Sequence, residues 1–515
     1  MRHSLAILCN MVKVGENIDG FSGNFTDKGE DILMTNINEI KERLKKASIT
    51  DGEIDNIEMI VGGDMDSVPG IPVRDVPEHI RVDVTCKPEE GSNIHIQVWL
   101  PIAAWNGSFL GIGNGGAAGM ILPFVMVGPL KLGFAVASTD MGTSAGADCG
   151  IGNKAVWRDF GYRSTHLMTL AAKSIIECYY GVLPKHSYFN GTSTGGQQAL
   201  SEAQRYPEDY DGILAGAPAY DRTNLHMGFV WDWLAVNKGE GGLFTKQDEE
   251  QIVKIILDKY GHMGERHPGD SFMYRPDKIK VERAAFEGSG LTNRQIEGLM
   301  KIYGGVSDPV TGNRIYEPVM MPGSEACDLG LTHRCEHPGF EQSYFYIFRW
   351  ILGADFDFKS FDFHRDAEKI HEELDEYLNA TQTDLAAFRD RGGKLLVIHG
   401  TADPIIPYTS SIRYYKQVKE KMGDVDSFFR LFLAPGMGHT SGGPGVQDIL
   451  FGFPATPKDC RHLGILALKQ WVEDGIAPDC LYPVAFKDNN PMNAFLDSPF
   501  GYERVIYPFN NDDKG

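Results

Sequence analysis

Cysteine is scarce in this 515-residue chain: eight residues, at Cys9, Cys86, Cys149, Cys178, Cys327, Cys335, Cys460 and Cys480, with no CxxC pair. So sparse a set does not make a disulfide scaffold, which needs several bridges within a short chain. Positive charge is also in short supply. Lysine and arginine number 49 against 70 acidic residues, a net charge of −21, which argues against a nucleic-acid partner because phosphate binding needs clustered positive charge. No apolar run approaches the roughly 18 residues of a membrane span. The opening stretch, MRHSLAILCNMVKVGEN, has only a very short apolar run and no small-residue cleavage site, so no secretory signal is expected. Internal repeats and low-complexity segments are missing too.

What is present suits a large folded protein. Hydrophobic residues make up 42% and aromatics 11% of the chain, enough for a substantial core. The 59 glycines point to tight turns and close backbone approaches. Residues 31–47 have the spacing of an amphipathic helix, while 57–63, 79–86 and 94–101 alternate as half-buried, antiparallel strands. From about residue 108 the texture changes. SFLGIG, GFAVAS, SYFNG, GILAGAP and KLLVIHG are short apolar runs ending in Gly-containing turns, and helical stretches such as STHLMTLAAKSIIECYY separate several of them. That pattern predicts an α/β fold with a mostly parallel central sheet. It breaks between Tyr220 and Lys394, so the expected organisation is a core over 1–220 and 373–515, interrupted by an inserted domain over 221–372.

The string GxSxG occurs twice, around Ser144 and around Ser193. A nucleophile elbow needs a strand before it and a helix directly after it. Ser193 has both, in SYFNG and GQQALSEAQRYP, whereas DCGIGNK after Ser144 reads as loop. The competing role for Ser193 is a helix N-cap; Ser144 is expected in a pocket wall. A serine nucleophile needs a base and the base an orienting acid, in the chain order Ser, Asp or Glu, His for this fold class. Asp403, after KLLVIHGTAD, and His439, after FFRLFLAPGMGH, follow strand-like runs in that order. For the oxyanion, the amide of Thr194 is one expected donor and the glycine-rich loop GIGNGGAAG supplies the other, at Gly116 with Gly115 beside it. The same loop matches a bare dinucleotide-type GxGxxG, but no clean βαβ unit follows it.

The runs FLGIGNGGAAG (109–119), STDMGTSAG (138–146), DFGYRSTHLMTLAAKSIIECYYGVLPKHSYFNGTSTGGQQALSEAQRYPEDYDGILAGAPA (159–219), SFDFHRD (360–366), DLAAFRDRGGKLLVIHGTADPIIP (384–407) and FFRLFLAPGMGHTSGGPG (428–445) resemble the tannase and feruloyl esterase family over roughly residues 95–510. The resemblance implies an α/β-hydrolase core with a lid, hydrolysis of esters of aromatic acids, and Ser193, Asp403 and His439 as nucleophile, acid and base. Two departures stand out. Family members typically bond a cysteine just before the serine to one just after the histidine, and here those positions are Thr192 and Thr440. Many members also carry an Asp-rich calcium loop in the lid, and the corresponding FTKQDEEQIVKIILDKYGHMGERHPGDSFMY lacks suitable spacing of oxygen ligands.

The expectation is therefore a serine ester hydrolase acting on a small ester of a hydroxybenzoic or hydroxycinnamic acid, without cofactor, metal, nucleic-acid or membrane partner. Rival readings are an acyltransferase using the same triad and an inactive binding protein. Asp140 and Thr143, and in the insertion Tyr344, Phe348 and Arg349, are the expected substrate-binding residues, with Arg349 meeting a substrate carboxylate; the alternatives are a turn role for Asp140 and Thr143 and lid core for the aromatic string 340–350. The cluster Cys327, His333, Cys335 and His337 matches no standard zinc spacing, and HEELD at 371–375 lacks the second histidine of a zinc protease. A cytoplasmic location is expected from the missing signal and cysteine pair, with secretion, common in the family that the chain resembles, as the alternative. The N-glycosylation strings at Asn24, Asn106, Asn190 and Asn379 weigh little against it, since Asn190 falls in a predicted buried strand.

Overall fold

The computed structural model describes residues 37–68, 71–144, 146–335, 339–487 and 498–510. In chain order its strands are β1 (Gly52–Ile60), β2 (Gly63–Val68), β3 (Ile71–Val76), β4 (His79–Cys86), β5 (Ile94–Pro101), β6 (Ser108–Ile112), β7 (Ala135–Thr139), β8 (His186–Thr192), β9 (Gly212–Gly216), β10 (Val306–Ser307), β11 (Arg314–Tyr316), β12 (Lys394–Gly400), β13 (Phe429–Ala434), β14 (Val484–Phe486) and β15 (Phe500–Glu503). A nine-stranded sheet in the order β1-β4-β5-β7-β6-β8-β9-β12-β13 runs through the centre. From β7 to β13 neighbouring strands are parallel, and β1, β4 and β5 form an antiparallel extension at one edge.

The apolar runs explain this layering. Along β12, Leu395 and Val397 face one core while Leu396 and Ile398 face the other. Both faces must be covered, and helices do it. Ser164–Tyr180, Thr194–Arg205 and Tyr408–Met422 contribute Met168, Leu200 and Tyr415 to one side. Pro123–Lys131 and Gly464–Asp474 place Leu130 and Trp471 on the other. The edge strands differ in kind: β4 alternates buried and half-buried residues, as one-sided burial requires.

The differences from expectation have local causes. The strand expected over 57–63 begins earlier, at Gly52, and ends at Ile60. The hairpin β2–β3 was not predicted; its acidic and proline-containing segments show no clean alternation. A helix occupies 37–44, and residues 31–36 lie outside the described residues. The chain leaves β9 at Gly216 and returns to its parallel neighbour β12 at Lys394. The expected boundary at 372 falls inside the helix Arg365–Leu378, whose Ile370, Leu374 and Leu378 join one continuous apolar cluster. Within the inserted stretch, Val236, Ile252, Phe286 and Leu299 form a core of their own, whereas Phe345, Phe348 and Trp350 pack with Trp157, Phe160, Ile405 and Ile406 of the flanking fold.

One buried acid on the helix Thr194–Arg205 leads to a prediction. Glu202 is fully buried beside the Asp209 carboxylate, and among the described residues no amide, hydroxyl or cationic donor reaches either of its carboxylate oxygens. Burial, reinforced by the Asp209 carboxylate, raises its pKa well above the ordinary glutamate range. The folded state thus holds a proton that the unfolded chain releases near pH 4.3, so stability falls as pH rises from there towards the raised pKa, by up to about 1.4 kcal/mol per pH unit. Glu202→Gln is expected to melt higher than the parent at pH 8 and to flatten that decline. Parallel stability–pH curves for the two proteins would contradict it.

Candidate active site

The loops at the C-terminal ends of β6, β8, β12 and β13 converge on one place. Strand β8 ends at Thr192, Ser193 turns with φ 61° and ψ −117°, and the helix begins at Thr194. A non-glycine residue at positive φ is strained and is held only by its surroundings. Here the Ser193 amide donates to Gly216 O at 2.9 Å, and its carbonyl accepts from Ala219 N at 3.1 Å. Glycine is required beside it: a Cβ at Gly191 would stand 2.1 Å from Gly195 O, and one at Gly113 2.6 Å from the Gly195 Cα. The β6 loop, the end of β8 and the first turn of the helix are therefore in backbone contact. That contact accounts for glycine at 113, whereas Gly116 stands at φ 55° with open space where a Cβ would be.

Ser193 Oγ lies 3.0 Å from His439 Nε2, and His439 Nδ1 lies 2.7 Å from Asp403 Oδ2. The His439 side chain keeps 12% exposure while that of Asp403 has none, so the imidazole edge reaches the site and the acid is sealed behind it. Asp403 Oδ1 accepts from the amides of Ile405 and Ile406, both at 2.9 Å. Burial works against the charged form of Asp403, but His439, His399 and their hydrogen bonds outweigh it and hold the carboxyl well below the ordinary aspartate range. Buried His399 stands 3.4 Å from Asp403 Oδ2, with Ser411 Oγ on Nδ1 at 2.8 Å and Ile406 O on Nε2 at 3.0 Å.

Hydrogen bonds tie the histidine loop to the acid loop. Thr401 Oγ1 accepts from Gly436 N at 2.9 Å and Ala402 N donates to Met437 O at 3.0 Å. Within the loop Gly438 N bonds Gly442 O at 2.9 Å and Gly442 N bonds Gln447 O at 3.0 Å. Arg334, from the inserted stretch, donates to the carbonyl of Pro404, next to the acid.

Thr194, as the first residue of its helix, has no intrahelical acceptor for its amide, and among the described residues the amides of Gly115 and Gly116 have no backbone acceptor. The two glycines are exposed. Ser144 lies in a turn followed by a short 3₁₀ segment, Asp148–Gly150, without the strand–turn–helix setting of Ser193.

The expected substrate-binding residues fare differently. The Asp140 carboxylate is occupied by His95, at 3.0 Å from its amide and 2.7 Å from Nδ1, and by Gly142 N at 2.8 Å. Thr143 Oγ1 donates to Ala117 O at 2.9 Å and the Asp140 carbonyl accepts from Gly119 N at 3.0 Å, so both residues brace the glycine loop. Phe348 is fully buried and stacked on Phe361, and Arg349 is buried with its guanidinium 2.6 Å from Asp148. Phe348 is thus part of an aromatic stack, and the Arg349 guanidinium is paired with Asp148 while its Nε has no hydrogen-bond partner among the described residues. Tyr344 bonds His333 Nε2 at 2.6 Å and, with Phe229, Arg334 and Ile405, lines a small crevice. Cys335 is directed to Phe244 O at 3.6 Å; His337 lies outside the described residues. Sequence reasoning missed two buried residues, His399 and Arg222. Their signal was position alone, four residues before the acid and just past GILAGAPAY.

A mostly parallel sheet with a serine on a strand–turn–helix elbow and a histidine–aspartate pair on later strand ends defines an α/β-hydrolase. Comparison with known proteins narrows the class. The profile described as "Tannase and feruloyl esterase" matches residues 79–494. An uncharacterized esterase of Xanthomonas campestris pv. campestris is 29% identical over 462 residues, 82% of this chain and 80% of the relative. Feruloyl esterase B of Aspergillus niger is 27% identical over 498 residues, 93% of each. The crystal structure of an esterase from Aspergillus oryzae superposes with a TM-score of 0.80 at 25% identity, covering 91% of this chain and 96% of that one. The chain belongs to the tannase and feruloyl esterase family and is a carboxylic ester hydrolase.

Proposed function

We propose that the protein hydrolyses small esters of hydroxycinnamic or hydroxybenzoic acids through a Ser193–His439–Asp403 triad and an acyl-enzyme. The observation that carries this reading is the unbroken relay from Ser193 Oγ to His439 at 3.0 Å and on to buried Asp403 at 2.7 Å. His439 Nε2 takes the hydroxyl proton as Oγ adds to the ester carbonyl, and Asp403 steadies the imidazolium through Nδ1–H. The amides of Thr194 and Gly116 receive the oxyanion; each such donor contributes about 10²–10³-fold. Collapse expels the alcohol, which takes the proton from His439. Water, activated by the same base, then frees the acid. The aromatic-acid substrate class is supported by the family and by the relative named feruloyl esterase B, with the inserted stretch acting as a lid.

The test is a survey of methyl esters. Methyl hydroxycinnamates and hydroxybenzoates are expected to exceed methyl butyrate in kcat/KM by about 10–100-fold, the worth of burying one aromatic ring. Equal rates on aliphatic esters would overturn the substrate class. Adding an alcohol acceptor separates hydrolysis from transfer: a predominantly transesterified product would replace the hydrolase reading with the acyltransferase.

A further inference from the structure

Directly behind the glycine loop lies a buried cation that the triad chemistry leaves without a task. Arg222 opens the helix Arg222–Asn237 and is 2% exposed. Its Nη2 donates to Thr194 Oγ1 at 2.9 Å, to Gly116 O at 3.2 Å and to the Tyr346 hydroxyl at 2.5 Å. No carboxylate pairs with it among the described residues, and its guanidinium lies over the Phe160 ring at 5.0 Å. A guanidinium stays protonated in proteins, and burying a charge without a counter-ion is costly. The neighbouring titratable groups do not answer it. Burial keeps the Tyr346 phenol neutral and, with the nearby Arg222 charge, keeps His226 neutral one turn further along the helix.

The contacts are specific to one peptide. Gly116 O accepts from Arg222, from Thr194 Oγ1 at 2.6 Å and from the Tyr346 hydroxyl at 3.2 Å. Three donors on one carbonyl fix the orientation of a loop that glycine would otherwise leave free, and they fix it against Thr194. Those two residues supply the proposed oxyanion amides. We infer that Arg222 is a positioning residue for the oxyanion hole: it clamps the Gly116 loop to the start of the Thr194 helix and supplies an unneutralised positive charge whose counter-ion arises only when the tetrahedral oxyanion forms. Such a charge favours the transition state over a neutral bound ester, the condition for raising kcat and not merely lowering KM. This inference rests on Ser193 being the nucleophile.

The experiment compares Arg222→Met, Arg222→Lys and Tyr346→Phe with the parent on a methyl hydroxycinnamate, alongside inhibition by an arylboronic acid, which forms an anionic tetrahedral adduct with a nucleophilic serine. Circular dichroism and melting temperature establish folding. Arg222→Met is expected to lose about 30–100-fold in kcat, with KM within about threefold and boronate affinity falling in proportion to kcat/KM. Arg222→Lys should recover most of that loss. Tyr346→Phe, which keeps the ring and the charge, should lose about threefold in kcat, and it keeps the inference testable if Arg222→Met fails to fold. Unchanged kcat in both Arg222→Met and Tyr346→Phe, or a loss confined to KM with boronate affinity intact, overturns the inference. Ser193→Ala in parallel separates the two readings: an active Ser193→Ala removes the triad and this role together, whereas an inactive one beside an undiminished Arg222→Met removes only the role of Arg222.

Discussion

Ser193→Ala is expected to abolish covalent labelling by a fluorophosphonate and to cut kcat by about 10⁴–10⁶-fold, while Ser144→Ala keeps both labelling and turnover. The contrast rests on geometry, since both serines share the GxSxG pattern. Ser193 lies 3.0 Å from a histidine nitrogen and at a positive φ that lifts it out of the helix it precedes. Ser144 has no such setting. If Ser193→Ala were labelled like the parent, the nucleophile would have to be sought elsewhere.

Asp403→Asn is expected to lower kcat by about 10⁴-fold, with little change in KM, because the amide would stabilise the wrong imidazole tautomer and give no charge to the imidazolium. Asn can still accept the two amide bonds from Ile405 and Ile406 through its oxygen, so the loop keeps its shape and the loss reports chemistry. The depressed acidity of Asp403 adds a pH criterion. A carboxyl held well below the ordinary range remains ionised at every pH where the fold is used. The deficit of Asp403→Asn should therefore persist across the neutral and alkaline range, and a variant whose deficit vanished on raising the pH would show that Asp403 is not the partner of His439.

Much of this site was legible because backbone constraints leave marks in sequence. Fully buried parallel strands need uninterrupted apolar runs, which placed β6, β8, β9 and β12 within one or two residues. The elbow needs glycine on either side of Ser193, and Asp403 and His439 had to follow later strands in order. Residues whose role is set by side-chain contacts left no such mark. His399 and Arg222 look like ordinary members of their segments until the fold brings Asp403 and Gly116 to them. The aromatic string 340–350 showed that something there is buried, but not which rings face a cavity. Phe348 and Arg349 turned out to be committed to Phe361 and Asp148, and the Asp140 carboxylate to His95 and a turn.

The threonines at 192 and 440 acquire a wider meaning from the way the histidine loop is held. Its alignment is carried by backbone amides, carbonyls and the Thr401 hydroxyl, none of which can be oxidised or reduced. The register of Ser193 and His439 is thus held by the folded chain's own hydrogen bonds. It needs no thiol chemistry to be set during maturation, and a change in thiol–disulfide balance around the protein has nothing in that register to break.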